Sequence, residues 1–280
     1  MGGPLVGVAV TPNIGVGGRS RHSAWDSAVS GRDSGESCTR WPWCRSRLDI
    51  ALWTARETGG DTHRVNKCCD PRGCDQFFGP RFARRLAKRY RKHGLDKTAQ
   101  RIVNFVDQHG LEGTTVLEIG GGVGEIQIEL LKRGATRATN LELVDSYDTE
   151  AQRLLQAAGL QHRVERRRHD IAADPDGVEP ADVVVLHRVI CCYPDYERLL
   201  GATAGHARRL LVFSYPPHNA AGRAVVAAQN AILRLLRKGF RTFNHPPDAM
   251  LAVLAEHRLR PTYAHRGLGW QVAGLERAPT

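Results

Sequence analysis

No run of about 18 uninterrupted apolar residues occurs anywhere in the 280-residue sequence, which argues against a membrane-spanning helix. The opening MGGPLVGVAV lacks the basic start and long apolar core of a secretory signal, and its sixth residue is Val6 where a myristoylation pattern needs Ser or Thr. Seven cysteines, an odd number, therefore read as reduced thiols, and a cytoplasmic location is expected. Three of them, Cys68, Cys69 and Cys74, cluster below His63, but the adjacent pair and the missing second spaced pair do not match closed zinc sites, so no metal is expected. The cluster reads instead as thiols in a turn shaped by Pro71 and Gly73, or as part of a lid.

Acidic residues are also scarce, with 29 Asp and Glu against 40 Lys and Arg, for a net charge of +11. The surplus is local. Between Arg81 and Arg101 nine basic residues face one acid, Asp96, which accounts for +8 of the total. Phe78, Phe82, Leu86 and Tyr90 recur four apart in the same stretch, with Ala83 and Ala87 beside them, so a helix with one apolar and one basic face is expected. Gly94 ends it and Asp96 caps the next, whose apolar positions are Ala99, Ile102, Val103 and Val106. The charge reads first as the solvated face of a cap helix, and next as steering of an anionic substrate or a membrane surface; the aromatic interleaving of RNA-reading sheets is missing, which makes nucleic acid an unfavoured partner. Residues 1–66 show no sustained period of either kind and read as a disordered extension, with Trp41, Trp43 and Trp53 as exceptions in a polar background. Residues 67–110 then form a Cys-containing turn and basic helical cap, and 111–280 the main domain.

The most informative stretch is Thr114 to Gly124, TTVLEIGGGVG. Thr115, Val116, Leu117 and Ile119 suit a buried parallel strand, which stops at Gly120, Gly121 and Gly122. Val123, Ile126, Leu130 and Leu131 then recur at helical spacing up to Gly134. Strand, glycine turn and helix in that order present backbone N–H groups to a ligand that approaches closely. A dinucleotide fingerprint needs glycine at the sixth position from Gly120, and that position is Glu125, which weakens an NAD reading.

Glycines at 120, 122 and 124, with Gly121 between them and Glu118 two residues ahead, resemble the first motif of the class I S-adenosylmethionine methyltransferases. The resemblance implies a Rossmann-like, doubly wound α/β sheet of about seven strands with S-adenosylmethionine as cofactor. It implies that Glu118 orients the methionine amino group and that the glycines let the cofactor lie on the turn. Residues 138–144 read as a second strand, with Glu142 at its end able to accept both ribose hydroxyls. Val164 to Arg168 is a third strand, followed by Asp170, where family members often carry an aspartate that meets the adenine amino group. Ala181 to Val189 is a buried fourth strand with His187 at its carboxyl end, facing the ligand crevice.

The next segment, VICCYPDYERLL, together with the Phe-rich helix and the late Arg241-Thr242-Phe243 and His245-Pro246, looks like the magnesium-protoporphyrin O-methyltransferase branch. That branch has a histidine where this chain has Cys192 and a tyrosine where it has Phe77. His187, Cys192 and Tyr193 surround the expected acceptor position and are the candidate catalytic residues for O- or N-methylation of a small molecule. Leu210 to Tyr215 is a fifth strand. Residues 221–236 form an amphipathic helix with Val225, Ala228, Ile232 and Leu235 expected to face inward, and 258–277 supply two closing strands. An NAD-dependent oxidoreductase on a related sheet and a non-catalytic basic binding module are the alternatives.

Overall fold

In the computed structural model, residues 73–74 and 77–279 are described. The expected extension over 1–66, with its three tryptophans, and Cys68, Cys69 and His63 lie outside them. Among the described residues, helices α1 (Pro80–His93) and α2 (Lys97–Gln108) precede the sheet. Helix α1 starts at Pro80, where a missing N–H costs nothing, and ends on Gly94 in the left-handed region. Its fully buried residues are Ala83 and Ala87, so small side chains carry the close approach while Leu86 and Tyr90 are half-buried and Phe82 is exposed. Asp96 caps α2, accepting from the N–H groups of Thr98 and Ala99 at 2.8 and 2.9 Å.

The sheet alternates with helices in the order β1 (Thr115–Ile119), α3 (Glu125–Lys132), β2 (Arg137–Glu142), α4 (Asp148–Ala158), β3 (Val164–Arg168), β4 (Ala181–Leu186), α5 (Tyr196–His206), β5 (Ala207–Tyr215). It closes with α6 (Ala220–Leu235), α7 (Pro247–Glu256), β6 (Leu259–His265) and β7 (Gln271–Arg277). The spatial order is β3-β2-β1-β4-β5-β7-β6, and β7 alone runs antiparallel, between β5 and β6. The seven-stranded doubly wound sheet expected from the sequence is present.

Alternation along the central strands explains their unbroken apolar runs. Val116 of β1 and Val183 and Val185 of β4 enter one core with α1 to α4, while Leu117, Val184 and Leu186 enter a second with α5 and α7. Each such side chain contributes about 1.5–3 kcal/mol by leaving water. Reversal of strand order at β1 and β4 opens a crevice at their carboxyl ends.

Two expectations need correction. Strand β4 ends at Leu186 rather than Val189, because Arg188 adopts a left-handed backbone (φ 61°) that turns the chain. Helix α6 is present, but its expected inward stripe faces out: Val225, Ile232 and Leu235 are 65%, 58% and 83% exposed. Its contacts run through Leu233, the one buried side chain, and through Asn230, whose side chain bonds both the N–H and the carbonyl of Thr242. Among the described residues no helix is long and apolar enough to cross a membrane.

Candidate active site

The glycine turn is built at several levels of crowding. Gly120 and Gly122 lie at φ 59° and 56°, a region that side chains other than glycine adopt at a cost. The Gly120 N–H donates to the Leu141 carbonyl at 2.7 Å, and a Cβ at Gly121 would lie 2.2 Å from Asn140 Nδ2 and 2.8 Å from Glu118 Cδ. Gly122 differs. A Cβ there would meet nothing nearer than Tyr147 at 3.6 Å, so its open side belongs to a cavity.

That cavity is lined by Glu118, Gly120, Gly121, Gly122, Glu142, Asp170, His187, Cys192 and Tyr193, which brings together every sequence-selected site residue except Gly124. Gly124 instead precedes α3 at φ 83° and receives the first helical bond from Ile128. Phe78, Phe82, Leu86 and Tyr147 supply an apolar wall from the cap side. Cys74, the described member of the early cysteine cluster, also lines the cavity.

Glu142 closes β2 and turns toward the glycines, accepting from the Gly122 N–H at 2.5 Å and from the Leu143 N–H at 3.2 Å. Burial pushes its carboxyl up to about 7, against the opposing pull of those N–H groups and of the Arg166 charge. Glu118 is buried beneath the turn and accepts from the Gln127 N–H at 3.2 Å. Burial, and then the neighbouring Glu125 carboxylate, push it well above the ordinary range. Asp170 accepts from the Ala172 N–H at 3.0 Å and from the Tyr193 hydroxyl at 3.1 Å.

His187 is held on both sides. Ser214 Oγ accepts the Arg188 N–H at 2.9 Å and lies 3.0 Å from His187 Nδ1, a hydrogen bond that fixes the ring's orientation. Nε2 faces Asp96 Oδ2 at 4.0 Å. Burial, followed by the Arg188 charge, pushes the imidazole down to about 3, so it is neutral at physiological pH. The Cys191 and Cys192 thiols lie 3.6 Å apart, each 3.6 Å from the Arg188 carbonyl.

Asp96, expected only to cap a helix, has a second role. Asp96 Oδ2 also accepts from Arg188 Nη2 at 2.7 Å and from Arg89 at 3.2 Å, tying the cap to the end of β4. Arg188 further rests over the Trp270 ring, with Cζ 5.0 Å from its centroid. Burial pushes the Asp96 carboxyl up, but the Ala99 N–H and the Arg188 charge outweigh it and hold Asp96 below the usual carboxylate range. Glu125 is a further residue of the site that the sequence pattern does not single out. Buried in the first turn of α3, it lines the cavity, and burial holds its carboxyl above the usual range. Its clue was an acid directly after a glycine turn, where a helix N-terminus favours negative charge.

Asp96→Ala loses both the cap and the anchor of Arg188, so a stability loss of about 2 kcal/mol is expected in urea denaturation. Asp96→Asn keeps the cap and should lose about half as much; equal losses from the two variants would remove the capping contribution.

No curated protein sequence is significantly similar to the chain. Solved structures are. Magnesium protoporphyrin IX methyltransferase from Synechocystis PCC 6803, with bound SAH, has a TM-score of 0.55 at 18% identity over 83% of this chain and 95% of that one. A putative sarcosine dimethylglycine methyltransferase from Galdieria sulphuraria has a TM-score of 0.53 at 11% identity over 65% and 86%. Human N-acetylserotonin methyltransferase, in complex with SAM, has a TM-score of 0.51 at 15% identity over 71% and 56%. At these identities the likeness establishes the fold; neither the oxidoreductase nor the non-catalytic module finds support. Residues 83–262 match the family described as Methyltransferase domain, and the chain belongs to that family.

Proposed function

We propose that the chain binds S-adenosylmethionine at the glycine turn and transfers its methyl group to a small-molecule oxygen or nitrogen seated against the Phe78, Phe82 and Tyr147 wall. The observation that carries this reading is the shared cavity of the turn and Glu142: the open side of Gly122 is where a ligand can touch backbone, and the half-buried carboxylate beside it is a paired acceptor for two hydroxyls. Glu118 beneath the turn is the group for the methionine amino end, and Asp170, with Tyr193, for the adenine end. When bound there, the cofactor supplies a sulfonium methyl already activated for transfer.

The chain's own contribution is then to bind, orient and exclude water. A neutral His187 fixed by Ser214 positions the acceptor edge rather than taking a proton, because its pKa lies far below that of a useful base. The Tyr193 hydroxyl already donates to Asp170. Cys192, at the cavity wall, remains the candidate for touching the acceptor, and the apolar cap wall favours a largely apolar one. The structures with bound SAH or SAM carry the same fold, which supports the cofactor.

Calorimetric titration with S-adenosylmethionine, S-adenosylhomocysteine and NADH tests the cofactor; binding of NADH alone would overturn the reading. Incubation of methyl-labelled cofactor with cell extract then identifies the acceptor by where the label goes. The Glu142 shift adds a pH signature. An ionised carboxylate accepts hydroxyls better than a neutral one, so affinity should rise as pH increases through about 7 and level off above it. Below that point it should fall, approaching about tenfold per pH unit, and Glu142→Gln should flatten the curve. The ligand-free fold holds this proton more tightly than the unfolded chain does, so its contribution to stability is lost as pH rises from the ordinary carboxylate range to about 7.

A further inference from the structure

The outward face of α6 is unlike the rest of the surface. At 100° per residue, Ala221, Ala224, Val225, Ala228, Ile232 and Leu235 fall in one sector, and all six are exposed. Leu236, just past the helix, extends the stripe and is 60% exposed. Arg223 and Arg234 are exposed on one side of it, and Arg237, Lys238 and Arg241 follow at its end. No Asp or Glu occurs between Glu197 and Asp248.

The chain after this helix leads back to the cap. Phe240, five residues beyond Leu235 and itself buried, stacks on Phe77 with centroids 4.5 Å apart, and Phe77 and Phe82 are partly exposed. Beside them α1 presents Arg81, Arg84, Arg85 and Lys88 to solvent. The aliphatic stripe and the aromatic edge each have basic side chains near them, and Phe82 belongs to both this edge and the cavity wall.

We propose that this face docks on an anionic phospholipid bilayer, with the α6 stripe entering the headgroup and acyl boundary and the arginines meeting lipid phosphates. Charge decides the occupant. A second copy of the chain would bring two sets of basic side chains together with no acid on α6 to offset them, and RNA would satisfy the arginines while leaving the aliphatic stripe in water. An anionic bilayer takes both, which is the arrangement of amphipathic helices that lie in a membrane interface.

Co-sedimentation of the full chain with phosphatidylcholine vesicles, with and without phosphatidylglycerol, tests the proposal. Binding at least about tenfold stronger to the anionic vesicles is expected, and Ile232→Asp with Leu235→Asp should reduce it by about tenfold or more while circular dichroism and melting stay unchanged. A Leu235→Trp variant should show a blue-shifted emission on anionic vesicles. Absence of vesicle binding overturns the proposal. So does binding that high salt removes but the aspartate pair leaves intact, since that is charge alone. A dimer in sedimentation velocity that the aspartate pair dissociates, without vesicle binding, would assign the face to a second copy.

Discussion

Gly122→Val is expected to leave the chain folded and to abolish S-adenosylmethionine binding. The two halves of that result have separate causes. The new Cβ would meet no atom closer than 3.6 Å, so no core neighbour is displaced. The cost to the fold is backbone strain at φ 56°, about 1–2 kcal/mol for a residue with a Cβ and more for a branched one. The valine side chain, however, occupies the open space beside Glu142, and affinity should fall beyond about 100-fold, equivalent to about 2.7 kcal/mol. Gly121→Val serves as the contrasting variant, since its Cβ would meet Asn140 Nδ2 at 2.2 Å within the buried layer and should destabilise the whole domain by about 3 kcal/mol. Unchanged calorimetric affinity in a folded Gly122→Val protein would displace the cofactor from this turn.

The second large effect is expected at Glu142→Ala. In the ligand-free chain this carboxylate is occupied by the Gly122 and Leu143 N–H groups, and on the proposed reading it accepts the two ribose hydroxyls of the cofactor. Charged hydrogen bonds are each worth about 1.5–3 kcal/mol when buried, so removing both should raise the dissociation constant about 100-fold or more. The fold should tolerate the change, because burying that charge is itself unfavourable, as its upward-shifted pKa records. A melting temperature equal to or above that of the parent, together with lost binding, is the expected pair of results. Retained binding in the alanine variant would remove Glu142 from the site.

The parts of the molecule that were legible beforehand are those where one residue type answers one physical demand. Parallel strands buried on both faces need continuous apolar runs, and VVVL at 183–186 can do little else. Turns at positive φ need glycine, which made 120–124 readable as a turn facing a ligand. The direction of the α6 stripe was not legible, because periodicity reveals that a face exists and says nothing of what covers it. Nor was the Asp96 link to Arg188, whose partners are 92 residues apart in sequence and meet only through the fold. The early end of β4 was hidden for another reason: Arg188 bends the backbone against its own preference, and a hydrophobic pattern carries no record of φ.

One feature of the sheet has a bearing on how the protein is made. Strand β7, the last of the described strands, is inserted between β5 and β6 rather than added at the rim. While a ribosome is still extending the chain through Gln271 to Arg277, β5 has no neighbour on that flank and β6 has no neighbour at all. The nascent domain therefore carries an open hydrogen-bonding edge until β7 emerges, and that interval is when pairing with a foreign strand is its main hazard.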